Sequence, residues 1–106
     1  MVLGGMYMSM HIAIDKDQLA VFCQRNHIRK LAFFGSVLRD DFRPDSDVDV
    51  LLEFEPDVRI GLFGLMEMQF EFSEMIGREA DFRTQGDLSR YFRDRVIAEA
   101  EVQYVA

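Results

Sequence analysis

Apolar positions along the chain switch between helical spacing and short continuous runs, which predicts helices interleaved with strands. Asp15, with Gln18 three residues later, has the pattern of a helix start. Apolar residues then follow at spacings of three and four, so this helix is expected to end near Asn26. Three short apolar or alternating stretches predict strands, at residues 30–34, 47–54 and 79–84.

Two later stretches have helical spacing. Residues 61–76 carry a stripe of Leu, Met and Phe that predicts core packing, and Gly77 stands where a C-terminal glycine is expected. Asp87 is expected to cap a last helix that runs to about Glu99. The apolar stripe over residues 61–76 consists of Leu62, Leu65, Met66, Phe70 and Met75. The inward residues of the last helix are predicted to be Leu88, Tyr91, Phe92, Val96 and Ile97.

The order of these elements predicts an α/β (α+β) fold with helices packed on a small β-sheet, which could be mixed. A chain of 106 residues suits one domain, expected to span 15–106. Residues 1–14 are rich in methionine and predict a tail or a short strand, so a later methionine could be the natural start. The final VQYV segment could be a tail or an edge strand.

The bulk charge excludes some partners. The formal net charge of −7 argues against a broad nucleic-acid footprint or an anionic membrane surface, because both require clustered Lys and Arg. It suits a metal, a cationic ligand or a basic protein. Cys23 is the single cysteine, so no internal disulfide can form and a cytoplasmic location is expected. The histidines, His11 and His27, lack the spacing of a zinc site.

A pair of aspartates stands at the head of the second predicted strand. Asp47 and Asp49 share one strand face, with Cα atoms about 6.6 Å apart. Two unpaired carboxylates there would repel each other or take up a proton, and a divalent cation removes that conflict. Mg²⁺ is bound by such carboxylates together with water and substrate phosphates. Asp81, in the middle of the third strand, is the natural third ligand, and Glu53 ranks below it because it lies further along its strand.

A Gly-Ser pair follows the first predicted strand. Gly35 lets a ligand approach the backbone closely, and the amides of the short helix expected from Ser36 to about Asp40 would face a phosphate. Arg39, one turn on, could bind the same anion with its forked guanidinium group. Residues 41–46 contain Pro44 and predict a loop.

Gly35-Ser36, ten intervening residues and then Asp47-Val48-Asp49 resemble the signature of the DNA polymerase β nucleotidyltransferase superfamily. The residues around it, and the later helix, Gly-Arg turn and Asp81 strand, resemble the minimal nucleotidyltransferases (MNT proteins). The likeness spans roughly residues 15–100, with departures at Asp40 and at Phe82-Arg83. The surrounding residues that narrow it are Arg39, Asp41, Ser46, Val50-Leu51-Leu52 and Phe54.

The resemblance implies a palm-like fold and a set of roles. Asp47, Asp49 and Asp81 would hold two Mg²⁺ ions as the catalytic ligands. The triphosphate of ATP would be bound by Gly35, Ser36, Arg39 and Ser46. Asp41 matches the family pattern but has no role that follows from its position.

The resemblance also suggests an acceptor. Larger members of the superfamily carry extra acceptor-binding domains, and these 106 residues are expected to hold none. MNT proteins are typically antitoxins of HEPN-domain ribonuclease toxins, and active members transfer AMP from ATP to a toxin tyrosine. Two alternatives stay open, a non-catalytic antitoxin that acts by binding and a small-molecule transferase of the aminoglycoside type. The nucleotide base and the oligomeric state are also left open by the sequence.

Overall fold

The computed structural model describes residues 6–8, 12–38 and 46–106. The strands are β1 (Met6–Met8), β2 (Ala13–Asp15), β3 (Ile28–Phe34), β4 (Val48–Phe54), β5 (Ala80–Thr84) and β6 (Glu101–Val105). The α-helices are α1 (Lys16–Arg25), α2 (Leu62–Ile76) and α3 (Arg93–Glu99), and short 3₁₀ turns cover Gly35–Leu38 and Gln85–Asp87. Within these residues, no helix is both long and apolar enough to cross a membrane.

The main sheet has the strand order β5-β4-β3-β6. β3 runs antiparallel to both β4 and β6, whereas β4 and β5 are parallel, so the predicted mixed sheet is confirmed. The C-terminal segment is therefore an edge strand rather than a tail. β1 and β2 form a separate antiparallel pair that precedes α1.

The start of α1 follows the sequence pattern. The Asp15 carboxylate accepts hydrogen bonds from the backbone N–H groups of Asp17, at 2.9 Å, and Gln18, at 3.2 Å. These bonds satisfy two amides that a helix start leaves without partners. The helix buries Leu19, Phe22 and Cys23. Burial raises the pKa of the Cys23 thiol to about 12, so this cysteine is an inert core residue.

One face of the sheet is closed by α1 and α2. Val48, Val50 and Leu52 occupy alternate positions along β4, and their side chains are buried on this face of the sheet. Phe72 of α2 lies at the centre, and its ring contacts those of Phe22, Phe33 and Phe82 with centroids 5.5, 6.5 and 5.6 Å away. Because side chains alternate along a strand, Asp49 and Asp81 point to the opposite face of the sheet. The core thus leaves the acidic face available for chemistry.

α2 also protects the outer edge of β5. The Ala80 N–H donates to Ser73 Oγ and the Phe82 N–H donates to Gln69 Oε1, both at 2.9 Å. Ser73 and Gln69 lie one helical turn apart and so match two alternate amides of the strand. An edge strand with open amides is a template for pairing with another chain, and these side chains remove that hazard.

The prediction that the whole apolar stripe of α2 is core is wrong. Met68 and Phe72 are the buried residues, while Leu65 and Met75 pack partly against the core. Positions two residues away on a helix lie on the far side of its axis. The remaining stripe residues, Leu62, Met66 and Phe70, are accordingly 70%, 55% and 67% exposed. The left-handed Gly77, with φ +71°, ends the helix as predicted.

The last helix begins later than its sequence pattern predicts. The Asp87 carboxylate accepts bonds from the backbone N–H and the hydroxyl of Thr84, at 3.0 and 3.1 Å, and so closes the Gln85–Asp87 turn instead of capping a helix. Leu88 is buried as expected. Tyr91 and Phe92 precede α3 and are 84% and 49% exposed, so their predicted core role is wrong. Val96 and Ile97 are half-buried.

Candidate active site

The strands β3, β4 and β5 bring the turn after β3 and two aspartates together. Phe34, the last residue of β3, pairs with Asp49, and Asp49 pairs in parallel register with Asp81. Neighbouring strands lie about 4.8 Å apart, and residues opposite each other share a sheet face. The carboxylates of Asp49 and Asp81 therefore stand side by side on the open face, directly after the point where β3 turns away.

Gly35 is fitted to the Asp49 carboxylate. Its φ of +74° lies in the left-handed region, which side-chain-bearing residues rarely adopt. A Cβ at this position would overlap the Asp49 carboxylate oxygen and would stand 3.3 Å from its Cγ. The backbone of the predicted phosphate-binding turn therefore touches the predicted metal ligand, and only glycine allows that contact.

Asp47 and Ser46 lead into β4. Asp47 is exposed and lies just before the strand, not inside it. The Ser46 carbonyl accepts a hydrogen bond from Arg78 Nη2 at 3.3 Å, and the Val48 N–H donates to the Glu79 carbonyl at 2.8 Å. Arg78 and Glu79 thus fix the chain on both sides of Asp47.

The other predicted site residues are only partly covered by the structure. Ser36 lies in the 3₁₀ turn Gly35–Leu38, which stands where a short helix to about residue 40 was expected. Arg39, Asp40 and Asp41 lie outside the described residues, as does most of the predicted loop at 41–46. The roles assigned to them stay predictions.

Arg83 is bound to Asp81. Its Nη2 and Nε atoms donate to Asp81 Oδ2 at 3.0 and 3.2 Å. The hydrogen bond and charge of Asp81 raise the pKa of the Arg83 guanidinium, with smaller contributions from Asp87 and Asp49. This pairing is not among the sequence-based predictions. The signal for it was present, because residues two apart on a strand share a face.

The donor chemistry of this face fits Mg²⁺. Carboxylate oxygens are the hard ligands that Mg²⁺ prefers, and Asp49 and Asp81 present them in adjacent register. Glu53 pairs instead with Arg29, with Nε and Oε1 3.7 Å apart, further along β4. Among the residues that the structure describes, no three Asp, Glu, His or Cys side chains are grouped closely enough to hold a metal by themselves. A metal here would therefore draw further ligands from substrate or water.

The model of the nucleotidyltransferase domain family matches residues 16–105. The chain belongs to this family. The match covers α1 and the whole main sheet, so it includes every element that forms the acidic face. A nucleotidyltransferase is an enzyme, and the predicted family, fold class and enzymatic nature are confirmed.

Two relatives are similar to this nucleotidyltransferase over most of its length. A protein of Methanocaldococcus jannaschii, provisionally named a protein adenylyltransferase, is 28% identical over 91 residues, covering 86% of this chain and 96% of the relative. A solved structure described as a candidate minimal nucleotidyltransferase has 27% identity and a TM-score of 0.65. The likeness covers 80% of this chain and 85% of that one.

Two toxin–antitoxin structures share the nucleotidyltransferase fold at 12% identity. One is a toxin–antitoxin complex with AMP-PNP, at a TM-score of 0.69, covering 88% of this chain and 75% of that one. The other is a tri-AMPylated HEPN toxin of Shewanella oneidensis with its MNT antitoxin, at a TM-score of 0.60, covering 86% and 70%. At this identity, the two comparisons bear on the fold alone.

Proposed function

We propose that this nucleotidyltransferase is a Mg²⁺-dependent protein adenylyltransferase and the antitoxin of a HEPN/MNT pair. It would transfer AMP from ATP to a tyrosine of its HEPN ribonuclease toxin in the cytoplasm. The observation that carries the proposal is the contact of Gly35 with the Asp49 carboxylate, which itself pairs in register with Asp81. The names of the relatives support a protein acceptor, and the fold shared with the toxin–antitoxin complexes agrees with it.

In the proposed site, the triphosphate and the acceptor would bind at opposite ends of a line that crosses the strands. The phosphate turn follows β3, Asp49 lies on β4 and Asp81 lies on β5 at the far side. Gly35 and Ser36 would bind the triphosphate through their backbone amides, with Arg39 and Ser46 assisting. The acceptor hydroxyl would then stand on the Asp81 side, in line with the pyrophosphate leaving group.

Transfer forms a bond between the tyrosine oxygen and the α-phosphorus and breaks the bond from that phosphorus to pyrophosphate. The Asp81 carboxylate would accept the phenolic proton as this bond forms, and pyrophosphate would leave with the electron pair of the broken bond. Asp49 and Asp81 would hold Mg²⁺ together with triphosphate oxygens and water, and Asp47, just before β4, is the third carboxylate that the resemblance assigns to the metal. When bound, it would supply neutralisation of the triphosphate charge and stabilisation of the attacking and leaving oxygens.

The test is intact-mass spectrometry of the partner toxin after incubation with this protein, Mg²⁺ and each of the four nucleoside triphosphates. The toxin is expected to gain mass in multiples of one AMP unit with ATP, and Asp47→Asn should prevent that gain. Peptide mapping should place the added AMP on tyrosine. An unmodified toxin with all four nucleotides, in a mixture where the two proteins form a complex, would remove the enzymatic part of the proposal.

A binding-only antitoxin is the second candidate. The observation that favours it is the Arg83 guanidinium on Asp81, because a cation already occupies one of the proposed metal ligands. In that case the double variant Asp47→Asn/Asp49→Asn would still suppress the toxin. Loss of suppression in a folded double variant that still binds the toxin would exclude it.

Replacing Arg83 with glutamine is expected to lower the Mg²⁺ concentration that gives half the maximal transfer rate. The guanidinium and the metal compete for the same carboxylate, so removing the first favours the second. The ion pair is half-exposed and such pairs contribute about 0.2–1 kcal/mol, which corresponds to a change of roughly one and a half- to fivefold. Arg29→Gln, which removes the partner of Glu53 on the same face, is the matched control. An unchanged Mg²⁺ requirement in Arg83→Gln would show that no such competition exists.

A further inference from the structure

A mostly apolar cavity opens beside the Gly35 turn. It has a volume of about 620 Å³ and lies between the end of β3, the 3₁₀ turn and α3. Gly35 forms part of its wall, so the cavity adjoins the residue that touches the Asp49 carboxylate. The lining residues are Phe34, Gly35, Leu38, Phe92, Arg95, Val96 and Glu99.

The lining combines flat apolar surfaces with one neutralised polar pair. Phe34 pairs in register with Asp49, and Phe92 stands half-exposed just before α3. Arg95 and Glu99 lie one turn apart on α3 and form an ion pair at 3.3 Å. Their charges cancel, so the cavity does not select an anion, whereas their donors and acceptors can meet the polar edge of a ring.

We propose that this cavity binds the base of the nucleoside triphosphate, with Phe92 as its stacking surface. The inference rests on the proposed function, since it takes the triphosphate to bind at the Gly35 turn. A nucleotide has a charged triphosphate at one end and a flat, uncharged aromatic base at the other. The Gly35 wall joins a phosphate-type turn to an apolar, charge-neutral cavity, which matches those two ends in one continuous site.

The exposure of Phe92 in the free protein agrees with this role. A half-exposed phenylalanine loses the benefit of burial in the free protein, and a stacked base would cover it. Tyr91, the preceding residue, is more exposed still but does not line the cavity, and the Arg90 guanidinium lies over its ring, 5.2 Å from the centroid. The two neighbouring aromatic residues therefore provide a test position and a matched control.

The experiment measures binding of a non-hydrolysable ATP analogue and of inorganic tripolyphosphate, each with Mg²⁺, by calorimetry on the full chain. In the wild type, the analogue is expected to bind at least tenfold more tightly than tripolyphosphate. Phe92→Ala should lower the affinity for the analogue about tenfold and leave the affinity for tripolyphosphate unchanged. Phe92→Trp should keep the wild-type affinity for the analogue. Tyr91→Ala should leave the affinities for both ligands unchanged. Circular dichroism checks that each variant is folded.

Several results would overturn the inference. Equal affinities of the wild type for the analogue and tripolyphosphate would show that no base site exists. Unchanged analogue binding in Phe92→Ala, with a raised KM for the toxin, would assign the cavity to the acceptor tyrosine instead. If the wild type binds neither ligand, the proposed function fails together with the inference. If Phe92 controls analogue binding but the toxin gains no AMP, the base site stands and only the proposed acceptor falls.

Discussion

Gly35→Ala is expected to lower both the stability of the fold and the rate of AMP transfer. An alanine at φ +74° costs about 1–2 kcal/mol, because its Cβ crowds the backbone in the left-handed region. The same Cβ would overlap the Asp49 carboxylate oxygen, so the carboxylate must move away from the turn. A displacement of that kind separates the proposed metal ligand from the triphosphate, and the transfer rate should fall by about a hundredfold or more.

The variant Gly77→Ala separates the effect of Gly35→Ala on stability from its effect on the transfer rate. Gly77 has nearly the same backbone angle, with φ +71°, but nothing lies within 4 Å of the position that an alanine Cβ would take there. It should therefore lose about 1–2 kcal/mol of unfolding free energy in urea and transfer AMP at close to the wild-type rate. If Gly35→Ala loses no more activity than Gly77→Ala does, the contact between the turn and Asp49 has no catalytic importance.

The residue pattern within each single helix or strand was enough to predict much of the fold. The alternation along β4 placed Val48 and Val50 in the core and Asp49 on the opposite face, since strand geometry fixes which side each residue takes. The Asp15 cap was readable because its partners lie two and three residues away. Features that depend on nearest neighbours in sequence are therefore well determined by the sequence.

Features that depend on tertiary packing were less predictable. α2 carries apolar residues around most of its circumference, so periodicity could not tell Phe72, at the centre of the core, from Phe70, which is exposed. Asp87 could have capped a helix ahead of it or bonded Thr84 behind it, and the second arrangement is the one adopted. Both choices turn on contacts that a single segment does not encode.

The candidate site shows the same division. The sequence pointed to Asp47 and Asp49 as a pair, with Asp81 as a third ligand, whereas the parallel register that sets Asp49 opposite Asp81 arises from the pairing of β4 with β5. Likewise, the Gly-Ser turn was readable, whereas the fit of Gly35 to the Asp49 carboxylate requires β3 and β4 to end together. The proposed base cavity had no signature in the sequence, because Phe34 and Phe92 line the same cavity only through the placement of α3.

Asp49→Asn is expected to remove AMP transfer while leaving the fold intact. Asp49 occupies the middle of the site, with Gly35 on one side and Asp81 on the other. Asparagine has the same shape and still fits against Gly35, but it lacks the negative charge that a divalent cation requires. The transfer rate should therefore fall at least 10²–10³-fold, a loss typical of removing one preorganised electrostatic group.

Stability should respond in a different way, and this separates a functional carboxylate from a structural one. Asparagine keeps the shape of the aspartate and an oxygen that accepts hydrogen bonds, so the Asp49→Asn variant should keep most of its unfolding free energy in urea while the transfer rate falls. Glu53→Gln is the control, because Glu53 lies on the same strand face but pairs with Arg29, and it should keep the wild-type transfer rate. Equal rates for Asp49→Asn and Glu53→Gln would mean that the acidic face is not the catalytic centre. A large loss confined to Asp49→Asn would instead tie catalysis to the carboxylate that lies against Gly35 and pairs in register with Asp81.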